Sequence, residues 1–174
     1  MSKPLEGVRV LDLSQITSGP FATMVLAEQG ADVVKVESPI IGDLARWTPN
    51  SRNGVSSFVL NQNRGKRSIA IDLQNEAGRD VVLDLMAGAD VVVQNFRPGV
   101  VERLGLGYDD ACSRNPAVVY VSISGFGPDG PYSSRPALDP VIQALVGIVH
   151  RQQSEVIPLP DLVRNVFVDK ATSL

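Results

Sequence analysis

The amino-acid sequence predicts an α/β fold built on a doubly wound, Rossmann-like parallel sheet, and two observations support this prediction. Short runs of valine, isoleucine and leucine alternate with segments of helical periodicity, which is typical of successive βαβ units. The phrase Gly-Ala-Asp-Val-Val occurs at Gly30–Val34 and again at Gly88–Val92, at the same point of two such units. Two similar halves of this kind build nucleotide-binding sheets.

The repeated phrase also has a simpler interpretation, because a glycine that ends a helix and a Val-Val that begins a strand are common in unrelated proteins. We favour the paired halves because a second echo agrees with the first in order and offset. Val10–Leu13 reads Val-Leu-Asp-Leu, and Ala70–Leu73 reads Ala-Ile-Asp-Leu.

The first unit occupies Gly7–Ser38 and follows the rules for a buried strand with a crossover helix. The apolar run Val8–Leu13 suits a strand that is buried on both faces. Ser18–Pro20 supplies an N-cap residue and a proline for the first turn, and Gly30 ends the helix. Ala31–Glu37 is then the second strand.

A polar stretch, Ser38–Gly65, separates the two units and is predicted to be a long loop, which in compact domains is usually functional or disordered. Leu44–Trp47 is predicted to form a helical turn within it. The aromatic side chain of Trp47, the sole tryptophan, is expected to be a packing anchor rather than a surface that stacks on a ligand.

The second unit and the elements after it continue the alternation of strands and helices. Strands are predicted at Arg67–Leu73, Gly88–Phe96 and Ala117–Ser124, a strand or extended segment at Leu162–Val168, and helices at Asn75–Met86, Pro98–Leu104, Tyr108–Asn115 and Asp139–Val149. The apolar face of the first of these helices is expected to be Val81, Val82, Leu85 and Met86. A glycine-rich loop, Gly125–Pro131, leaves the strand before it, and a last helix is predicted to begin at Asp169. Because the sequence stops one turn into that helix, we expect residues 1–174 to be one N-terminal domain of a longer protein.

Composition narrows the class of protein. The net charge of −3 argues against a nucleic-acid partner, since phosphate binding needs a basic surface. One cysteine and one histidine, Cys112 and His150, leave no cluster for a metal site and suggest a reducing cytoplasm. Neither a signal peptide nor a membrane-spanning apolar run is visible, so the expected location is cytoplasmic and away from the membrane.

Two nucleotide-binding motifs are absent, and two weaker candidates remain. The first strand–helix turn lacks the Gly-x-Gly-x-x-Gly of dinucleotide sites, and no Walker-type phosphate loop is present. Lys66 and Arg67 are either a solvated basic run or donors to a phosphate-bearing ligand. Gln94–Gly99 lies at the carboxyl end of the fourth strand, where open α/β sheets bind ligands, although it is also an ordinary strand-to-helix turn.

An ordered set of short motifs resembles the N-terminal part of the class III CoA-transferase family, which includes formyl-CoA transferase and carnitine CoA-transferase. The resemblance runs from Pro4 to the last residue. The motifs are Pro4–Asp12, Gly19–Pro20, Gly30–Glu37, Asn63–Ser68, Asp90–Gly99 and Ser124–Gly127. It implies that the sheet forms the large CoA-binding domain of such an enzyme.

The resemblance implies a coenzyme A site that spans several loops, with no metal. The turn of Gln15, Ile16, Thr17 and Ser18 would contact the cofactor, and Asn95, Phe96 and Arg97 would lie against its pantetheine. The adenine and its phosphates would meet Ile71, Gln74 and Arg103, with Lys66 and Arg67 as further phosphate donors. Gly125 and Phe126 of the glycine-rich loop are expected near the reacting acyl oxygen.

By the same resemblance, Asp169 matches the family's nucleophile, which acts through a mixed anhydride and an aspartyl-CoA thioester. Its attack on a thioester would divide a difficult acyl transfer into easier steps, with an acyl-CoA and a carboxylic acid as substrates. From the residues alone, an aspartate at the start of a helix is more simply an N-cap.

Other readings of the resemblance stay open. Racemase relatives carry a histidine directly before the aspartate that matches Asp139, and here that position is Leu138, which cannot transfer a proton. His150 is expected to be a helix-end residue. A non-catalytic CoA-binding fragment is a further alternative, because family members are longer and form interlinked homodimers. We therefore expect residues 1–174 alone to be inactive.

Overall fold

The computed structural model describes residues 2–49, 51–53, 55–156 and 158–174. Its strands are β1 Arg9–Asp12, β2 Asp32–Glu37, β3 Ser51–Arg52, β4 Val55–Ser56, β5 Arg67–Ala70, β6 Val91–Gln94 and β7 Val119–Ser122. Its helices are α1 Ser18–Glu28, α2 Ser57–Gln62, α3 Glu76–Ala87, α4 Val100–Arg103, α5 Tyr108–Arg114, α6 Asp139–Leu145, α7 Ile148–Arg151 and α8 Phe167–Ser173, together with a 3₁₀ helix at Leu44–Trp47.

The central sheet has five parallel strands in the order β5-β2-β1-β6-β7. The chain winds outward from β1 through β2 to β5, then crosses back to β6 and winds outward to β7 on the other side. This confirms the predicted doubly wound fold. The order reverses between β1 and β6, and open sheets of this kind bind ligands beyond the carboxyl ends of the strands at that point.

The two copies of the repeated phrase occupy equivalent places on either side of β1. Val33 in β2 and Val91 in β6 both pair with Val10 in register. The second echo is not equivalent in its surroundings, because Asp12 at the end of β1 is buried whereas Asp72 is exposed.

Side chains that alternate along the strands form the core on both faces of the sheet. Leu11 and Val92 pack with Val82 of α3 in one cluster, and Val10 and Val93 belong to a second cluster. This two-residue alternation is expected for strands that are buried on both faces. On α3, Val82 and Met86 are buried as predicted. Val81 is 45% exposed, so its predicted place on the apolar face of the helix is wrong.

The polar stretch after β2 contains more structure than the sequence predicts. It holds the hairpin β3–β4 and helix α2, whose N-cap Ser56 accepts a hydrogen bond from the Val59 amide at 3.0 Å. The predicted helical turn at Leu44–Trp47 is confirmed, but the expected packing role of Trp47 is wrong. The 3₁₀ helix turns Ala45 inward instead, and Trp47 is 72% exposed with its indole N–H donating to the Ile41 carbonyl at 2.9 Å.

Three further predictions need correction. The helix predicted at Asp139–Val149 divides into α6 and α7, because Gly147 takes a left-handed conformation with φ of 79° between them. The strand or extended segment predicted at Leu162–Val168 ends early, since residues 164–166 form a turn and α8 begins at Phe167. The N-cap of α1 is Thr17 rather than Ser18. Within the described residues, no helix has the length and apolar character that a membrane span requires.

Candidate active site

A cavity of about 430 Å³ lies beyond the carboxyl ends of β1 and β6, where the strand order reverses. The turn 15–18 after β1 and the turn 95–97 after β6 form two of its walls. Segments after β7, the start of α6 and the first turn of α8 complete it. The remaining described lining residues are Leu44, Ile123, Ser124, Gly125, Pro136, Ala137, Leu138, Asp139, Ile142, Val168, Asp169 and Thr172.

Asn95 joins the two walls across the point where the strand order reverses. Its Oδ1 accepts the Gln15 amide at 2.8 Å, and its Nδ2 donates to the Gln15 carbonyl at 2.7 Å. The same Nδ2 lies 3.4 Å from the Ser18 hydroxyl. A side-chain amide has an acceptor oxygen and a donor N–H side by side. It can therefore bond to both the N–H and the C=O of one backbone residue, as a residue of a neighbouring β-strand does. The relative position of the two turns is therefore fixed by one side chain.

The first turn contains a strained residue. Ile16 has a φ of 69°, a left-handed conformation that β-branched residues rarely adopt. The Asp43 carboxylate accepts the Ile16 amide at 3.0 Å, and the Lys35 ammonium donates to the Ser14 carbonyl at 2.6 Å. Strain of this kind persists where the surroundings impose it, and it is concentrated at functional sites.

Beneath this turn lies the buried charge cluster, which consists of Asp12, Lys35, Asp43 and Lys66. The Lys66 ammonium is 2.9 Å from the Asp12 carboxylate, and the Lys35 ammonium is 2.9 Å from that of Asp43 and 3.9 Å from that of Asp12. Burial opposes ionisation of Asp12, but the two ammonium groups and the hydrogen bonds from Ser14 and Thr23 together hold the pKa of Asp12 below its ordinary value. Burial lowers the pKa of Lys66 to about 8.

Asp169 is the third residue of α8, and its half-buried side chain lines the cavity. It is not an N-cap, since that position belongs to Val166. Within the described part of the chain, no group donates a hydrogen bond to its carboxylate. Burial and the nearby negative charge of Asp139 raise the pKa of Asp169 to about 6. The carboxylate is therefore free to react and still largely ionised at neutral pH.

Asp139 is a site residue for which the sequence predicts no catalytic role, only a helix start and a match to an aspartate of racemase relatives. It is buried in the cavity wall, and one of its carboxylate oxygens accepts the backbone amides of Val168 and Asp169 at 2.7 and 3.0 Å. The Asp-Pro sequence at the start of α6 was the available signal, but it indicates a helix start and not a contact 30 residues along the chain.

The structure brings together some of the predicted site residues and not others. The residues that line the cavity are Gln15, Ile16, Thr17, Ser18, Asn95, Phe96, Arg97, Gly125 and Asp169. Phe126 lines a neighbouring apolar cavity of about 580 Å³, where its ring meets that of Tyr132 edge-on. Ile71 belongs to the core, and Gln74 and Arg103 are exposed outside the cavity lining.

Lys66 and Arg67, which the sequence offers as phosphate donors, have protein partners instead. The Lys66 ammonium contacts Asp12, the Pro20 carbonyl and Asn63, and its side chain is only 2% exposed. Arg67 is 68% exposed and forms a bidentate pair with Asp32, which begins β2 at the opposite edge of the sheet from the cavity. CoA binding by residues outside the cavity stays a prediction.

Neither a metal cluster nor a catalytic histidine is found at the cavity. Across the residues that the structure describes, His, Cys, Asp and Glu side chains form no group of three that could hold a metal ion. Leu138 lines the cavity at the position where racemase relatives were expected to carry histidine, and the exposed His150 on α7 is not among the lining residues.

Comparison with known proteins finds relatives over most of the chain. Residues 5–174 match the family described as CoA-transferase family III. The chain is 45% identical over 149 residues to succinyl-CoA:glutarate CoA-transferase of Mus musculus, covering 85% of this chain and 34% of the relative. It is 45% identical over 148 residues to formyl-CoA:oxalate CoA-transferase of Streptomyces avermitilis, covering 84% of this chain and 36% of the relative.

A solved structure agrees with the fold described above. A CAIB/BAIF family protein from Brucella suis superposes with a TM-score of 0.90 at 40% identity, over 97% of this chain and 46% of that one. The chain therefore spans about a third of the length of the curated relatives and less than half of the solved one.

Proposed function

Because the chain belongs to CoA-transferase family III, we propose that the complete protein moves coenzyme A from an acyl-CoA to a carboxylic acid, with Asp169 as the nucleophile. The observation that supports this assignment is the position of the Asp169 carboxylate. It lines the cavity at the point where the sheet order reverses, and it accepts no hydrogen bond from the described residues. A carboxylate committed to capping or to an ion pair would be a poor nucleophile.

The reaction balances without water or an external base. A carboxylate oxygen of Asp169 attacks the thioester carbonyl, the carbon–sulfur bond breaks, and CoA leaves as a thiolate from a mixed anhydride. The thiolate then attacks the aspartyl carbonyl, which releases the donor acid and leaves an aspartyl-CoA thioester. The acceptor carboxylate repeats the two steps in reverse, so that the new acyl-CoA forms and Asp169 is regenerated.

The raised pKa suits this role. With a pKa of about 6 the carboxylate is more basic than an exposed aspartate and thus a better nucleophile. It is still roughly nine-tenths ionised at pH 7. The same desolvation that raises the pKa excludes water, which would otherwise hydrolyse the anhydride.

Coenzyme A would lie between the two turns that Asn95 joins. Gln15–Ser18 and Asn95–Arg97 form facing walls, and the resemblance assigns both to the cofactor. Arg97 is the one cationic side chain among the described lining residues, so it is the available partner for the departing thiolate or a CoA phosphate. The backbone of Gly125 lines the same cavity and is the candidate donor to the acyl oxygen.

The test uses the complete protein incubated with an acyl-CoA and then with hydroxylamine, which traps an activated aspartyl carbonyl as a hydroxamate. We expect the mass shift on the peptide that contains Asp169, and we expect D169N to abolish both label and turnover. D109N, at an exposed residue of α5 outside the cavity lining, is the matched control and should behave as wild type. Turnover with an unlabelled Asp169 would refute the covalent mechanism.

Two alternative functions predict different results when the same incubation is made in deuterated water. A racemase would exchange solvent deuterium into the carbon next to the thioester at the rate of turnover, which Leu138 at the cavity argues against. A CoA-binding module without chemistry would bind acyl-CoA and show neither label nor exchange.

We also propose, from the resemblance, that the complete protein is a cytoplasmic homodimer. The molecular mass in solution, measured by light scattering, tests the dimer.

A further inference from the structure

We propose that Asp139 is a positioning residue for Asp169, because it supplies the N-cap that α8 lacks and so fixes where the nucleophile stands. The catalytic meaning of this role rests on the proposed function. Asp139 lies on α6, 30 residues before the nucleophile in the chain, and its carboxylate is buried against the first turn of α8.

Helix α8 cannot cap itself. Its N-cap position is held by Val166, whose hydrocarbon side chain cannot accept a hydrogen bond. Val166 also has φ of 50° and ψ of 51°, a left-handed conformation that is unfavourable for a β-branched residue. The first amides of a helix have no partner within the helix, so this terminus depends on an acceptor from elsewhere.

Asp139 is that acceptor. Its Oδ2 accepts the amide of Val168 at 2.7 Å and that of Asp169 at 3.0 Å. These are the second and third residues of α8, which are the amides that an ordinary N-cap side chain would satisfy. One of the two bonds is therefore made to the backbone of the nucleophile itself.

Gln143, one turn further along α6, completes the attachment. Its Nε2 donates to the other carboxylate oxygen of Asp139 and to the Val163 carbonyl, the latter at 3.0 Å, while its Oε1 accepts the Val163 amide at 2.8 Å. The Asp139–Gln143 pair is buried and ties residues 163–169 to α6. The position of the Asp169 backbone is thus set by α6 rather than by the sequence of α8.

Asp139 also places a negative charge beside the nucleophile. The helices packed on α8 are α6, which contributes Asp139, and α1, whose Glu28 lies at the opposite end of that helix. Lys170 follows Asp169 on α8 itself, and Arg97 is the described cation of the cavity wall. Together with burial, the charge of Asp139 opposes ionisation of Asp169. A positioning role therefore predicts both a geometric and an electrostatic effect, and a merely structural role predicts neither.

The experiment compares D139N, D139A and the control D109N, at an exposed residue of α5 outside the cavity lining, in the complete protein, by kcat and KM for acyl-CoA over pH 4.5–8. We expect D139N, which removes the charge but keeps an acceptor, to lower the pH of the acidic limb by roughly one unit. We expect D139A, which removes the acceptor, to lower kcat by roughly tenfold or more with little change in KM, because the nucleophile is misplaced. D109N should match wild type.

The outcomes separate this proposal from the function on which it rests. An acidic limb that does not move in D139N, together with a normal kcat in D139A, would overturn the role even if both variants lost thermal stability. If D139A does not fold, D139E keeps the charge but displaces the acceptor, and a normal kcat in D139E overturns the role equally. A wild-type protein that turns over without hydroxylamine labelling of Asp169 would instead refute the proposed function.

Discussion

Methionine in place of Lys66, compared with methionine in place of Arg67, tests what the buried charge cluster does. The two cations are adjacent in the chain, and the sequence offers both as phosphate donors. In the structure the Lys66 side chain is 2% exposed and the Arg67 side chain is 68% exposed. Methionine keeps most of the volume of either side chain and removes only the charged group, so the pair differs mainly in burial.

The expected cost of each change follows from its partners. Breaking a buried ion pair costs about 3–5 kcal/mol of the free energy of unfolding, because the remaining charge stays buried. In K66M the Asp12 carboxylate keeps hydrogen bonds from Ser14 and Thr23 and has Lys35 3.9 Å away. We therefore expect the lower end of that range, about 3 kcal/mol. In R67M the lost partner Asp32 is itself 51% exposed, so we expect about 1 kcal/mol or less.

Urea unfolding of the complete protein, followed by far-ultraviolet circular dichroism, gives the midpoint of each variant. Isothermal titration with CoA gives the affinity under the same conditions. We expect K66M to lower the midpoint clearly while folded K66M binds CoA as wild type does, and R67M to change neither quantity. An unaltered midpoint in K66M together with weaker CoA binding would refute the reasoning, because Lys66 would then act on the ligand and not on Asp12.

Three further predictions concern the cavity and its supports. The rate of acyl-CoA turnover should rise with pH through about 6 and then level off, since a carboxyl with a raised pKa is protonated and unreactive below that value; a rise centred near pH 4 would contradict the desolvated site. N95A removes both hydrogen bonds to Gln15 and should lower kcat/KM by roughly tenfold, equivalent to about 1.4 kcal/mol. N95D keeps one acceptor and should be intermediate. Wild-type kinetics in N95A would show that Asn95 does not join the two turns. I16G relieves a strain of about 1–2 kcal/mol and should raise KM for acyl-CoA without lowering the thermal midpoint, whereas a clearly lower midpoint would show that packing of Ile16 outweighs its strain.

The sheet and half of the site could be predicted because their signals are local. Strands buried on both faces need unbroken apolar runs, so β1, β2 and β6 are visible as Val-rich segments. Residues that follow such strands meet at one edge of a parallel sheet, which brings the turns 15–18 and 95–97 together. The same locality predicts the glycine that follows α1, Gly30, although the break at Gly147 between α6 and α7 was not predicted.

What could not be predicted depends on contacts between distant residues. Lys66 and Arg67 carry the same charge at adjacent positions, and only the packing of the segment against Asp12, 54 residues away, decides which of them is buried. The sequence around Asp139 indicates only a helix start. The backbone amides that donate to its carboxylate belong to another helix, α8, and that contact is not visible in the sequence. Trp47 was misassigned because composition favours burial of tryptophan, whereas the 3₁₀ helix turns Ala45 inward.

The buried charge cluster has a consequence for the electrostatic potential above it. The charges of the two carboxylates and the two ammonium groups cancel. The buried layer under the turn 15–18 therefore has no net charge, and its effect on the potential in the cavity falls off steeply with distance. The potential felt by an incoming thioester is then set by Asp139, Asp169 and Arg97, the charged residues of the cavity lining. Any single neutralising substitution in the cluster would leave that buried layer with one uncompensated charge.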